Sequence, residues 1–340
     1  MATGLALQKR GHEVALWLSG KAIEAATRHA WTGQVINIEA AKLSFQPLQL
    51  PRTFFMVIRT YRASIKALRK QQPDALLAMG SYSSLGPVLA ARRLNIPVIL
   101  HEANVIPGKA ISLLSRFATA VAITFPETRN YLKHKKIQLT GLPLRKEMVE
   151  AARMPTGIPA RFTVLTMGGS QGAQRLNEMV PIALGHLREA GIDVAAIHLA
   201  GEKAKATVEK AYRKAGVPAT VYGFCSDMVS IYRQTSLAIS RSGANSCLEL
   251  AMFGIPAILI PLPTSARDHQ KANAKARMAA GAAILLEQGT LSPDLLAETI
   301  RALATNAGKM KEMREQTKAR TSAGADEALA DLIVKVGGNR

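Results

Sequence analysis

Short apolar, β-branched runs separated by helix-patterned segments make up this chain, and that rhythm leaves few architectures open. The runs are Glu13–Leu18, Ala75–Met79, Val98–Leu100, Ala120–Ile123 and Ile137–Leu139. A second series follows: Phe162–Met167, Val194–Leu199, Thr220–Tyr222, Leu237–Ile239 and Ala257–Ile260. Strands so short and continuously apolar are those buried on both faces of a parallel sheet. With helices between them they predict βαβ units, so the expected class is α/β with parallel sheets. Residues 147–159, holding two prolines and a glycine, read as a linker between a domain at 1–146 and another at 160–320. A C-terminal helix within 321–340 is expected to pack back on the first domain.

The most informative stretch is Phe162–Glu178, where an apolar strand runs into Gly168-Gly169-Ser170-Gln171-Gly172-Ala173 and then a helical pattern. Glycines there allow positive φ and close backbone approach. The helix behind them aims free N–H groups and a positive dipole end at the turn, which suits a phosphate. A turn that only packs tightly is the other reading.

The halves echo one another. Gly11-His12-Glu13-Val14-Ala15 resembles Gly191-Ile192-Asp193-Val194-Ala195, and Gly20-Lys21-Ala22 falls where Gly201-Glu202-Lys203-Ala204 does. At that offset the counterpart of the Phe162 strand and its Gly turn lies before Met1, so about 20 preceding residues are expected by the repeat. Two similar halves that have drifted apart would look the same.

Lys and Arg number 44 against 24 Asp and Glu, a net charge of +20 that favours anionic partners. Aromatics are 5% of the chain and do not interleave with cations, so no nucleic acid is expected. Cys225 and Cys247 have no metal-like spacing, which argues for a reducing compartment and against a zinc site. Met1-Ala2-Thr3-Gly4 lacks a signal-peptide start, and no apolar run approaches the roughly 20 residues of a membrane span. The expectation is a cytoplasmic chain that does not cross a membrane.

Further clusters carry chemistry. Ser240-Arg241-Ser242-Gly243-Ala244-Asn245-Ser246-Cys247-Leu248-Glu249 follows the strand Leu237–Ile239. Its glycine can turn toward a phosphate, and Glu249 either accepts ribose hydroxyls or is a solvated helix residue. Asp268, His269, Gln270 and Asn273 form a polar segment suited to sugar hydroxyls, or a bare polar loop. In Gly141-Leu142-Pro143-Leu144-Arg145 the arginine can clamp a diphosphate. His101-Glu102-Ala103-Asn104 ends a strand, where His-Glu reads as an acid/base pair or as a buried hydrogen-bonded element. In Arg52–Lys70, Phe54, Ile58, Tyr61, Ile65 and Leu68 recur at helical spacing beside a stripe of Arg59, Arg62, Lys66 and Arg69. That helix either meets an anionic membrane surface or is a core helix with solvated cations.

Together RGHEV (10–14), GSYSS (80–84), HEAN (101–104), GLPLR (141–145), GGSQGA (168–173), RSGANSCLE (241–249) and DHQ (268–270) resemble the MurG-type glycosyltransferases of bacterial peptidoglycan synthesis. The resemblance implies a GT-B fold, two Rossmann-like domains with parallel sheets facing a cleft. It implies inverting transfer of N-acetylglucosamine from UDP-N-acetylglucosamine to undecaprenyl-diphosphate-linked muramoyl-pentapeptide, with no metal or other cofactor. The implied location is peripheral, on the cytoplasmic face of the cell membrane. Residue by residue, Ser170 would hold the diphosphate, Arg145 donor phosphate or sugar, and Glu249 the ribose. Ala244, Asn245, Ser246, Cys247 and Leu248 would line the nucleotide, the backbone at Cys225 the uracil, and Gln270 and Asn104 the sugar. The chain departs from the family at Ala103, at Leu142 and Leu144, at Cys225, and at Gly80-Ser81-Tyr82, which has one glycine fewer. The family's Thr-Gly-Gly-His turn, source of its proposed general base, is not in this sequence. The catalytic base is therefore unassigned, with His101 and His269 candidates by chemistry alone.

Overall fold

The computed structural model describes residues 1–18, 31–38, 50–154, 157, 159–168, 173–318 and 324–338, with the side chains of 50–53 left out. The chain divides into two compact units, Met1–Arg145 with Gly324–Arg340, and Lys146–Ala323.

The first unit runs α1 (Ala2–Lys9), β1 (Ala15–Leu18), β2 (Gln34–Asn37), α2 (Leu50–Gln71), β3 (Leu76–Ala78), α3 (Leu85–Arg93), β4 (Val98–Glu102), α4 (Lys109–Leu114), β5 (Ala120–Ile123) and β6 (Ile137–Leu139). Strands β3-β4-β5-β6 form one parallel sheet, and β1 and β2 pair in parallel as a second. Alternation along β4 sends Val98 and Leu100 to one core, with Leu68 and Val88, and Ile99 to the other. That second face is covered by the C-terminal helix Ala325–Gly337 through Leu329, Leu332 and Val336. Helix α1 packs on the same helix, where Arg10 pairs with Glu327 and Asp331.

Helices α2 and α3 approach closely because small residues meet. A Cβ on Gly86 would lie 2.7 Å from Thr60 Cγ2. Thr60 and Ser64 turn their hydroxyls back to the carbonyls of Met56 and Thr60. The apolar stripe expected on α2 is correct only for its later turns. Tyr61, Ile65 and Leu68 reach the core, whereas Phe54 and Phe55 are 68% and 67% exposed.

The second unit contains α5 (Lys146–Arg153), β7 (Phe162–Met167), α6 (Gln174–Glu189), β8 (Val194–Leu199), α7 (Lys205–Lys214), β9 (Ala219–Tyr222), α8 (Met228–Arg233), β10 (Leu237–Ser240), α9 (Ala244–Met252), β11 (Ala257–Leu259), α10 (His269–Ala279), β12 (Ala283–Leu285), α11 (Pro293–Ala304) and α12 (Ala307–Lys318). Its six strands lie in the order β12-β11-β10-β7-β8-β9, all parallel. Leu237 and Ile239 of β10 enter one core while Ala238 enters the other. The chain reverses its direction of winding between β7 and β10, so the carboxyl ends of these two strands form the switch point where such sheets bind ligands.

Two edge strands, β2 and β12, lie outside the runs read in the sequence: Gln34–Asn37 has polar residues at both ends, and Ala283–Leu285 is only three residues long. The expected linker is also partly replaced by structure: Lys146–Arg153 is a helix, and Met148 is buried with Ile231, Tyr232 and Phe253. The echo between halves has a shared geometry, helix–glycine–strand, with Gly11 and Gly191 at φ +83° and +78°. Any side chain at those two turns would be strained. In the second unit β7 joins β8 to β10; among the described residues of the first, no strand joins β1 to β3.

His198 on β8 is fully buried. Tyr212 Oη donates to its Nδ1 (2.9 Å), and its Nε2–H donates to Asn177 Oδ1 (3.0 Å), whose amide donates to the Ala200 carbonyl (3.0 Å). Burial pushes the imidazole down to about 4. The unfolded chain, with an ordinary histidine near 6.5, then binds the extra proton between those values. This contribution is thus fully present above pH 6.5 and lost as pH falls toward 4, amounting to about 3 kcal/mol. Urea unfolding at a series of pH values should show it, and His198→Gln should flatten the slope between pH 6.5 and 5.

Candidate functional site

On the second unit the predicted donor residues gather at the ends of β7 and β10. Arg241 N donates to the Met167 carbonyl (3.3 Å), tying the two strand ends together next to Gly168. Ser170 and the rest of residues 169–172 lie outside the described residues; α6 resumes with Ala173 as its N-cap. Helix α9 opens at Gly243 and carries Ala244, Asn245, Ser246, Cys247, Leu248 and Glu249 in its first two turns. Neither α6 nor α9 has an acidic residue in its first turn, and neither N-cap side chain satisfies an N–H group. Two positive helix ends therefore face the region beyond β7 and β10, as an anion requires. Asn245 is exposed, Ser246 and Glu249 are half-buried, and Ala244, Cys247 and Leu248 are buried. Burial pushes the Cys247 thiol up to about 12, so it packs as an apolar residue.

A buried network shapes the surrounding loops. Arg241 is 8% exposed and donates from Nη1 to the carbonyls of Ile260 (3.0 Å) and Pro261 (3.2 Å), and from Nη2 to Gln288 Oε1. Desolvation lowers the affinity of this guanidinium for its proton. Ser242 Oγ donates to the Gln270 carbonyl (2.8 Å), and Leu262 N donates to Gln270 Oε1 (3.0 Å). Gln270 is thus anchored through both oxygens, and its side-chain NH₂ has no partner among the described residues. Asn273, read as a sugar contact, is instead fully buried and donates to the Ser242 carbonyl (3.0 Å). It ties α10 to the turn that starts α9. His269 Nδ1 bonds the Ala266 carbonyl (2.8 Å) in a local turn. Cys225 follows β9, half-buried, with its Sγ 3.6 Å from the Asp227 carbonyl.

Glu249 has a partner that sequence reading did not supply. Tyr232 Oη donates to Glu249 Oε2 at 2.8 Å, from a ring that is 2% exposed. Seventeen residues separate the two, and no local spacing rule links them.

On the first unit the strand β4 ends in His101 and Glu102, both buried. His101 Nε2 bonds the Gly141 carbonyl (2.8 Å), and burial lowers its proton affinity. At 1% exposure it is a clip for the Gly141 turn, not an accessible base. Glu102 accepts from Asn104 N (2.8 Å), Asn104 Nδ2 (3.1 Å) and Gly108 N (2.9 Å). The carboxylate therefore fixes the half-buried Asn104, which takes the acid/base pair to its hydrogen-bonded reading. Gly80, at φ +77°, leaves room for Ile111, whose Cγ1 a Cβ would approach to 2.5 Å. Arg145 is exposed at the end of this unit.

Residues 163–329 match the glycosyltransferase family 28 C-terminal domain, and residues 1–123 the family 28 N-terminal domain. The chain belongs to glycosyltransferase family 28. A relative from Anaeromyxobacter sp. (strain Fw109-5), a UDP-N-acetylglucosamine--N-acetylmuramyl-(pentapeptide) pyrophosphoryl-undecaprenol N-acetylglucosamine transferase, is 35% identical over 85% of this chain and 76% of its own. One of the same description from Myxococcus xanthus is 33% identical, covering 84% and 75%. The crystal structure of Acinetobacter baumannii MurG superposes with a TM-score of 0.80 at 28% identity, covering 98% of this chain and 94% of that one. A UDP-GlcNAc 2-epimerase from Neisseria meningitidis, at 15% identity and TM-score 0.68, shares the fold (98% and 95% covered). The architecture is the GT-B class with parallel sheets, as the family 28 domains and these neighbours require.

Proposed function

We propose that this family 28 member transfers N-acetylglucosamine from UDP-N-acetylglucosamine to undecaprenyl-diphosphate-linked muramoyl-pentapeptide, with inversion at the anomeric carbon. The observation that carries this reading is the pair of uncapped helix starts at the ends of β7 and β10, with Glu249 two turns into α9. The diphosphate belongs at those N-termini with Ser170, the ribose at Glu249, the uracil at the backbone of Cys225, and the sugar at Gln270. On the first unit Asn104 is assigned to the sugar and Arg145 to donor phosphate or sugar. The acceptor hydroxyl attacks the anomeric carbon as the bond to UDP breaks. Charge that develops on UDP is met by donors already oriented, an effect typically worth several kcal/mol of barrier. The proton leaves to a base that is unassigned: His101 is buried on the Gly141 carbonyl, and His269 is a candidate by chemistry alone.

Transfer of labelled N-acetylglucosamine to the lipid-linked acceptor tests the reading, beside calorimetry of UDP. Transfer with micromolar donor binding supports it, and no binding of UDP overturns it. Binding without transfer would favour a second reading, a UDP-sugar-binding module. On that side stands the observation that, among the described residues, no strand joins β1 to β3.

The acceptor is a membrane lipid, and α2 suits an anionic membrane face. At 100° per residue, Phe55 shares its outer side with Arg59, Arg62, Lys66 and Arg69, all exposed. No described helix is long and apolar enough to cross a membrane. Each basic residue near such a surface contributes about 1 kcal/mol. Reversing Arg62, Lys66 and Arg69 to Glu should weaken binding to phosphatidylglycerol vesicles at least 10-fold in a flotation assay, and unchanged flotation would remove this surface from the account.

A further inference from the structure

We infer that Tyr232 is a positioning residue for nucleotide recognition, holding the Glu249 carboxylate in the orientation that receives the ribose hydroxyls. The inference rests on the assignment of Glu249 to the ribose.

Tyr232 sits on α8, a short helix whose start is fixed by Asp227: Oδ1 accepts from Ser230 N (3.1 Å). Its ring is locked between α8 and α9 by Phe253, with centroids 5.1 Å apart, inside the core that also holds Ile231 and Cys247. The one polar atom of that ring reaches Glu249 Oε2 at 2.8 Å and lies 4.0 Å from Met167 Sδ, at the end of β7. A rigid, buried aromatic thus presents its hydroxyl to a half-buried carboxylate two turns into α9. A glutamate side chain turns about three bonds, and its last torsion is broad. A hydrogen bond from a fixed phenol to one oxygen selects one carboxylate plane. Two hydroxyls on adjacent ribose carbons need that plane, because a carboxylate accepts in it through both oxygens. Charge-assisted bonds of this kind are about twice as strong as neutral ones, which makes the contact strong enough to set an orientation. Phenylalanine would fill the same space without the hydroxyl, so the substitution separates packing from positioning.

The experiment is titration calorimetry of the full chain with UDP and with 2′,3′-dideoxy-UDP, for the parent, Tyr232→Phe, Glu249→Gln and the double variant. Tyr232→Phe should weaken UDP about 10-fold and leave the dideoxy ligand within about two-fold. Glu249→Gln should bring the two ligands to nearly equal affinity, and adding Tyr232→Phe to it should change nothing further. Preserved discrimination in Tyr232→Phe, with discrimination lost in Glu249→Gln, overturns the role of Tyr232 and leaves that of Glu249 standing. Equal weakening of both ligands by Tyr232→Phe, or additive losses in the double variant, also overturns it as a merely structural effect. Discrimination retained by Glu249→Gln overturns the ribose assignment itself.

Discussion

Arg241→Met should destabilise the unit Lys146–Ala323 by about 3–5 kcal/mol, measured as the shift of its urea transition. Methionine fills much of the volume but donates nothing. The carbonyls of Ile260 and Pro261 and the amide oxygen of Gln288 would then lose their donors in a site the guanidinium leaves only 8% exposed. Each orphaned buried acceptor costs about 1–3 kcal/mol. Arg241→Lys should recover less than half, because one ammonium cannot span two carbonyls and a side chain that the planar fork reaches together. The same variant should weaken UDP binding, since the segment from Pro261 to Gln270 is held through Leu262 and Ser242 beside the turn that starts α9. A cost under about 1 kcal/mol would show that solvent or repacking satisfies these groups, and would contradict the buried network.

Glu102→Ala should lower kcat/KM by about 100-fold and cost about 2–4 kcal/mol in the first unit. The carboxylate accepts from two backbone N–H groups and from the Asn104 side chain, and its own carbonyl accepts from Thr124 N and Oγ1. Without it three donors of the 102–108 turn lose this acceptor, and Asn104 loses a restraint on its rotamer. Glu102→Gln discriminates between roles. Its amide NH₂ must face either Gly108 N or the two Asn104 donors, so stability should fall by about 1–3 kcal/mol. A base would behave otherwise, losing activity in Glu102→Gln with stability intact. Paired unfolding curves and initial rates for the two variants decide the point.

Much of the architecture was legible in the residues. Buried parallel strands announce themselves as short apolar runs, and β5, β6, β7 and β8 lie within the bounds read from the sequence. Gln34–Asn37 did not, because polar residues at both of its ends dilute the apolar signal. Helix α5 was hidden by the prolines that follow it, and Met148 shows its buried face only once α8 and α9 are in place. The site was read as separate clusters, each tied to a strand end. Which members turn inward was not readable: Asn273 and Asn104 are the same residue type in polar segments, yet one is sealed beneath Ser242 and the other stands half-buried on Glu102.

The sequence by itself determined the strand–helix rhythm, the glycine turns and the family, because each of these is written in local spacing and residue type. Only the tertiary structure decided which polar groups serve the fold and which stand ready for a ligand. Those roles depend on partners far apart in the chain, as Tyr232 is from Glu249 and Arg241 from Gln288, and a hydrogen bond between such residues exists only after the strands and the helices between them have packed.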